Sequence, residues 1–338
     1  MKASLLFITY NHARFVAEAI RSAMAQDYSD LELVVCDDAS TDDTRKILEA
    51  ELTKCPQHLT QVQAHSSENV GLISNFNRGI AACSGEVVIV MSGDDISCPD
   101  RVSKIVEEFV KNPRSMLVYS NYQSIDSAGR FLAGSRGSLK NRCFSHDQCA
   151  TEIYANSPVY GATAAYRMNL RDEFGPLQCG HHPEDRCYWL RALLVGEIHY
   201  LPHALVEWRV HETNLDNHLR ELDSPVARAK MIRKMLFKQH YAIQLTRDVR
   251  HAVNGSLISQ PRGLALVALI QIARERERLR RYSMSASSWK LWFGSARKLI
   301  LLQPSFRTAR RVLLADFWIH RSRARRERRW ASRFRPSA

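Results

Sequence analysis

The chain has 338 residues, 45% of them hydrophobic and 25% charged, which is the composition of a folded protein and excludes a disordered or fibrous one. Its formal charge of +13 conceals a division: residues 1–220 carry 21 Lys/Arg against 28 Asp/Glu, and residues 221–338 carry 27 against 7. The longest apolar run, Leu264 to Ala273, is about half of what a bilayer-spanning helix needs.

Ala3 to Thr9 is an apolar run that ends in polar Thr9-Tyr10-Asn11-His12, the pattern of a buried strand feeding a loop. Ala13 to Gln26 repeats apolar residues at helical spacing. Leu31 to Cys36 reads as a second buried strand, closed by Asp37-Asp38. Ser40, Thr41, Asp42 and Asp43 then open a helix through Leu52. Leu59 to Ala64 is a weaker strand, Leu72 to Cys83 a helix and Glu86 to Met91 a fourth strand. This alternation predicts an α/β fold, a single Rossmann-like, mostly parallel sheet flanked by helices. A helix from Pro99 to about Lys111, a strand over Met116 to Asn121 and a turn at Asp126 to Gly129 come next. Residues 133–145 read as a Gly/Ser/basic loop, Tyr160 to Tyr166 and Val206 to Val210 as strands, and Glu184 to Val195 as a helix. Beyond His218 the pattern changes to a basic, mostly helical region, with helices over 224–250 and 264–282. The expected division is 1–220 and 221–338.

Ligands of such sheets sit beyond the carboxyl ends of the strands. Both Asp pairs, Asp37-Asp38 and Asp94-Asp95, follow strand ends and therefore fall on that edge. Asp94-Asp95 suits a divalent cation, because Mg²⁺ takes one or two carboxylates plus substrate phosphates, although a turn or helix cap would use the same residues. Asp37-Asp38 can cap a helix or accept a hydrogen bond from the ring N–H of a uracil or thymine. Glu184 and Asp185 can cap their helix or supply a general base. By strand alternation Arg209 and His211 share a face, where His211 can meet a metal or a phosphate. Cys179, His181, His182 and Cys187 have zinc-ligand chemistry but no closed structural spacing. Eight cysteines without a C-x-x-C pair, and an N-terminus read as lacking a secretory leader, predict a reducing, cytoplasmic setting.

In order, Phe7 to Asn11, Leu31 to Asp42, Glu68 to Gly71 with Asn77 to Gly79, Gly85 to Asp95, Gly161 to Thr163, Pro183 to Arg191 and Arg209 to His211 resemble the motifs of family 2 inverting glycosyltransferases of the glycosyltransferase A fold. The resemblance covers about residues 3–217. It implies a nucleotide-sugar donor, UDP-sugar favoured, a saccharide acceptor and a divalent cation, Mn²⁺ or Mg²⁺. It implies Asp95, Asp94 and His211 as the metal residues. It implies Thr9, Tyr10, Asn11, Asp37, Asp38, Asn69, Arg78 and Asp94 as donor residues. Asp185 becomes the general base, with Glu184 as its fallback. Ser92 stands where many members of the family carry an acid.

In residues 284–320, Trp289, Trp292, Phe293, Phe317 and Trp318 alternate with Lys and Arg, and Arg321 to Arg335 holds eight arginines against one Glu. That pattern fits helices lying on an anionic membrane surface, or a helical subdomain packed on the catalytic domain with a solvated basic end. The first reading, taken with the family resemblance, implies a peripheral protein on the inner membrane face and a lipid-linked acceptor. A nucleic-acid partner is disfavoured, since no binding module accompanies the basic residues. A nucleotidyltransferase would want a Gly-rich phosphate loop where Thr9 to Ala13 stands, without glycine. A degenerate, non-catalytic transferase tethered by its basic tail is the remaining alternative.

Overall fold

The computed structural model describes residues 1–132, 140–145, 159–178, 180, 184–212, 225–259 and 266, with side chains in its last helix from residue 240 onward. The readings of a helix over 264–282, of the basic tail and of the Cys179/His181/His182 cluster lie outside these residues.

The first half alternates as its sequence predicts: β1 (Ala3–Thr9), α1 (Val16–Met24), β2 (Leu31–Asp37), α2 (Thr44–Leu52), β3 (Thr60–Gln63), α3 (Leu72–Ala82) and β4 (Val87–Ser92). These four strands are parallel in the order β3-β2-β1-β4. The second half contains β5 (Ile96–Ser97), α4 (Arg101–Lys111), β6 (Ser115–Ile125), β7 (Arg142–Phe144) and a 3-10 turn (Gly161–Thr163). It continues with β8 (Ala164–Arg167), α5 (Asn169–Phe174), α6 (Glu184–Val195), β9 (Glu197–Arg209) and α7 (Pro225–Asn254). β8 is antiparallel to both β4 and β6, while β9 runs parallel to β6 and carries β5 and β7 antiparallel. The sheet is thus mixed, with parallel order concentrated in its first half.

Strand periodicity divides the core. Leu5, Phe7, Leu33, Val35, Ile89 and Met91 face α1, α2 and α4, whereas Leu6, Val34, Cys36, Val88 and Val90 face α3, α5, α6 and α7. Burial on both faces explains why these strands read as continuous apolar runs. α6 is buried from Cys187 to Leu194 on every side, because it lies between the sheet and α7.

That sandwich buries a charge pair. Arg191 on α6 is 0% exposed and donates through Nε and Nη2 to Asp248 of α7, itself 1% exposed, at 2.9 and 3.2 Å. Removing one partner leaves the other charge buried and unpaired. Asp248→Ala should therefore lower unfolding stability by about 3–5 kcal/mol; a urea titration showing less than about 1 kcal/mol would contradict the reading.

Candidate functional site

Register aligns the strand ends: Thr9 of β1 pairs with Asp37 of β2, and Ile8 with Ser92 of β4. Gly93 follows immediately, so close to β1 that a Cβ would lie 2.4 Å from Thr9 Oγ1. Only glycine lets β4 exit along Thr9 at that distance.

The loops leaving β1 and β2 are tied to each other. Asn11 and Ala39 both adopt left-handed conformations, with φ of 55° and 56°. The Asn11 amide donates to Ser40 Oγ, and its Oδ1 accepts the Thr41 amide, both at 2.8 Å. Asp42 accepts the amides of Ala13 and Thr44 at the start of α2. Asp37 accepts the Ser40 amide at 3.0 Å and the Ser40 hydroxyl. Asp38 accepts the amides of Val70 and Gly71 at 3.1 and 2.8 Å, which anchors the loop ahead of α3. Asn69 is exposed on that loop. Arg78 lies nearly two turns into α3, its guanidinium on Asn75, whose own amide bonds the Cys36 carbonyl near the end of β2. Tyr10 is exposed beside the loop pair.

Asp94 and Asp95 have different surroundings. The Nε2–H of His211 donates to Asp94 Oδ2 at 3.1 Å, His12 Nε2 lies 3.7 Å from the same oxygen, and Ser92 donates its hydroxyl to Oδ1. Burial pushes the Asp94 carboxyl upward, but the His211 hydrogen bond, His12 and Ser92 outweigh it and hold it below its usual range. Burial first, then the neighbouring Asp94 charge, raise Asp95 well above the usual range. Asp95 Oδ1 accepts the Arg209 amide at 2.9 Å. The Arg209 guanidinium bonds the Asp94 carbonyl at 2.9 Å and Glu18 at 2.6 Å, and lies 5.0 Å over the Phe15 ring. Thus His211 meets Asp94, while Asp95 fastens the end of β9. Burial brings the nearby Arg101 down to about 10 against the pull of Asp95, and its Nη2 bonds the carbonyls of Val90 and Ala162 at 2.8 Å.

Ala162 belongs to the 3-10 turn, and the turn leads to the second carboxylate pair. Glu184 Oε1 packs so tightly on Gly161 that a Cβ there would stand 2.5 Å away. Burial, and next the Asp185 charge, push Glu184 up to about 8. Beneath the pair lies the buried Tyr166 hydroxyl, raised by burial and by both acids. Asp185 Oδ1 accepts the Arg186 amide at 2.7 Å.

Thr9, Asn11, Asp37, Asp38, Asp94, Asp95 and His211 therefore gather on one edge through described contacts, and Glu184 with Asp185 joins them through Gly161 and Arg101. His12 and the Ser92 hydroxyl contribute contacts to Asp94 that residue patterns did not assign. For His12 the available signal was its place three residues beyond the end of β1.

The model of the family described as glycosyl transferase family 2 matches residues 4–174. An uncharacterised glycosyltransferase of Nostoc sp. is 29% identical over 65% of this chain and 67% of its own length. The chondroitin synthase of Escherichia coli is 32% identical over 38% of this chain and 18% of that protein. Among solved structures, S. aureus TarS 1–349 in complex with UDP-GlcNAc has a TM-score of 0.61 at 19% identity, covering 90% of this chain and 82% of that one. The mannosyltransferase PcManGT from Pyrobaculum calidifontis, in complex with GDP-Man and Mn²⁺, has a TM-score of 0.50 at 19% identity, covering 93% and 85%. The fold is that of the glycosyltransferase A structures.

The raised Glu184 carries a consequence for stability. Between its ordinary 4.5 and about 8, the unfolded chain has released this proton while the folded chain retains it. The loss of stability is absent below the lower value, grows as pH rises and is complete above the upper one. Urea midpoints of wild type should fall relative to Glu184→Gln from about pH 5 to about pH 8; parallel profiles would contradict the assignment.

Proposed function

Since the chain belongs to glycosyl transferase family 2, we propose that it transfers a sugar from a nucleotide-sugar donor, a UDP-sugar first, to a hydroxyl of a saccharide acceptor, inverting the anomeric carbon. The observation that carries this reading is the meeting of His211 and His12 on the Asp94 carboxylate at the ends of β9, β1 and β4. A carboxylate with room for substrate phosphates suits a divalent cation such as Mn²⁺ or Mg²⁺, and an imidazole nitrogen beside it is a further ligand. Asp94 and His211 would hold the divalent cation, with Asp95 as support, and the bound ion would offset the charge that develops on the departing diphosphate. The TarS complex with UDP-GlcNAc and the PcManGT complex with GDP-Man and Mn²⁺ support a donor of this class.

The chain's own residues do the rest. The Thr9–Asn11 loop packs on the nucleoside, Asp37 and Asp38 hold its base, and Asn69 and Arg78 flank the donor. Burial and the Asp185 charge push Glu184 up to about 8, and Asp185 stands where the family motif has its general base. It removes the acceptor proton as the oxygen bonds to the anomeric carbon, and the bond from that carbon to the diphosphate breaks with its electron pair on the leaving group.

Calorimetric titration of UDP, dTDP and GDP, with and without Mn²⁺, tests the donor site. One nucleotide should bind in a metal-dependent manner, about tenfold or more weaker to Asp94→Ala. Asp185→Asn should bind it as wild type does yet transfer about 10²-fold or more slowly. Equal loss of binding and transfer would remove the base assignment, and binding by wild type without turnover would favour the non-catalytic alternative.

We further propose that residues 284–338 bring the enzyme to an anionic membrane surface and a lipid-linked acceptor in cell-envelope polysaccharide assembly, supported by their alternating aromatic and basic residues. No helix among the described residues is long and apolar enough to cross a membrane. Full-length protein should partition into anionic liposomes and a 1–282 truncation should not; identical partitioning would end the proposal.

A further inference from the structure

A second group of ligand-type side chains lies at the opposite end of β9. Cys143 of β7 and His199 of β9 are direct cross-strand partners, so their side chains share a face. Glu197 stands two residues before His199 and points to that same face. Cys143 Sγ, a Glu197 carboxylate oxygen and a His199 ring nitrogen all lie within 4.8 Å of one another. Cys143 Sγ is 3.9 Å from Glu197 Oε2, and His199 Nε2 is 3.5 Å from it. Ligands of a tetrahedral zinc ion at ordinary bond lengths stand about 3.3–3.5 Å apart, so the three atoms already lie near the spacing one ion requires.

The surroundings prepare the same arrangement. His199 is 9% exposed, and among the described residues its Nε2 has no hydrogen-bond partner. Its Nδ1 is held at 2.8 Å by Glu108 from α4. A carboxylate on one ring nitrogen, with the other nitrogen turned to the ion, is the outer-shell arrangement of most metal-bound histidines. Arg114 pairs with Glu197 Oε1 at 3.2 Å and leaves Oε2 toward Cys143 and His199. Cys143 is exposed, which leaves a fourth position to water. His199 and Arg209 are ten residues apart along β9, roughly 30 Å at the rise of a strand, so this cluster is separate from Asp94 and His211.

We propose that Cys143, Glu197 and His199 bind a divalent ion of the zinc class, clamping β7 to β9. Thiolate and imidazole favour such an ion over Mg²⁺ or Mn²⁺. On binding, the Cys143 S–H bond breaks, sulfur bonds to the ion and the proton passes to solvent. Thiolate and carboxylate together balance the two positive charges.

Cobalt is the probe, since thiolate-to-cobalt charge transfer absorbs in the near ultraviolet and the carboxylate–imidazole site at Asp94 has no sulfur. Chelator-treated full-length protein titrated with Co²⁺ should develop this absorption at one equivalent, and Zn²⁺ should displace it. Cys143→Ser, a change at an exposed position, should abolish it, and Glu108→Gln should weaken Co²⁺ binding about 10- to 100-fold. Zn²⁺ should raise the Tm of wild type by clearly more than that of Cys143→Ser. Absence of the absorption in wild type, or its survival in Cys143→Ser, would overturn the proposal.

Discussion

The buried guanidinium of Arg209 is the interaction on which the edge of the sheet depends. It reaches the Asp94 carbonyl, the Asp126 carbonyl and Glu18 while stacking on Phe15. Its backbone amide occupies Asp95. The end of β9, the exit of β4 and the first helix are thereby fastened by one side chain, with His211 delivered to Asp94 two residues later. A charge this deeply buried is tolerated only when its donors are met, and here the partners are two carbonyls and a carboxylate.

Much of this arrangement was legible from residue order. Strands buried on both faces announce themselves as apolar runs, and Asp37 follows such a run directly and Asp94 after two further residues, so the edge they share is legible in the residue order. The individual roles of adjacent acids could not. Asp94 and Asp95 are chemically alike, and the direction in which the chain leaves β4 decides which one meets His211. The same holds for Glu184 and Asp185, which are separated by the packing of one of them on Gly161. Asp37 and Asp38 pair with loop amides and Ser40, contacts that depend on where the loop ahead of α3 returns.

The second half of the fold was harder to read for a local reason. β9 runs from Glu197 to Arg209, but Pro202 and His203 interrupt its apolar alternation and the pairing with β6 shifts register near Leu201. Only its last residues, from Val206, show a clean strand period. β7 is three residues long inside a stretch rich in Gly, Ser and basic residues, so tertiary pairing with β9 makes it a strand where local preference does not.

The left-handed residues at the ends of β1 and β2 have a thermodynamic meaning for recognition. Asn11 and Ala39 hold a left-handed backbone conformation, which Asn tolerates and which costs Ala about 1–2 kcal/mol, and the crossed bonds of Asn11 to Ser40 and Thr41 offset that strain. The two loops are consequently shaped before anything docks against them. A ligand meeting this surface would not have to order it, so little of its interaction energy would be lost to chain entropy, and selectivity there would rest on fit to a fixed shape rather than on a loop that closes around many.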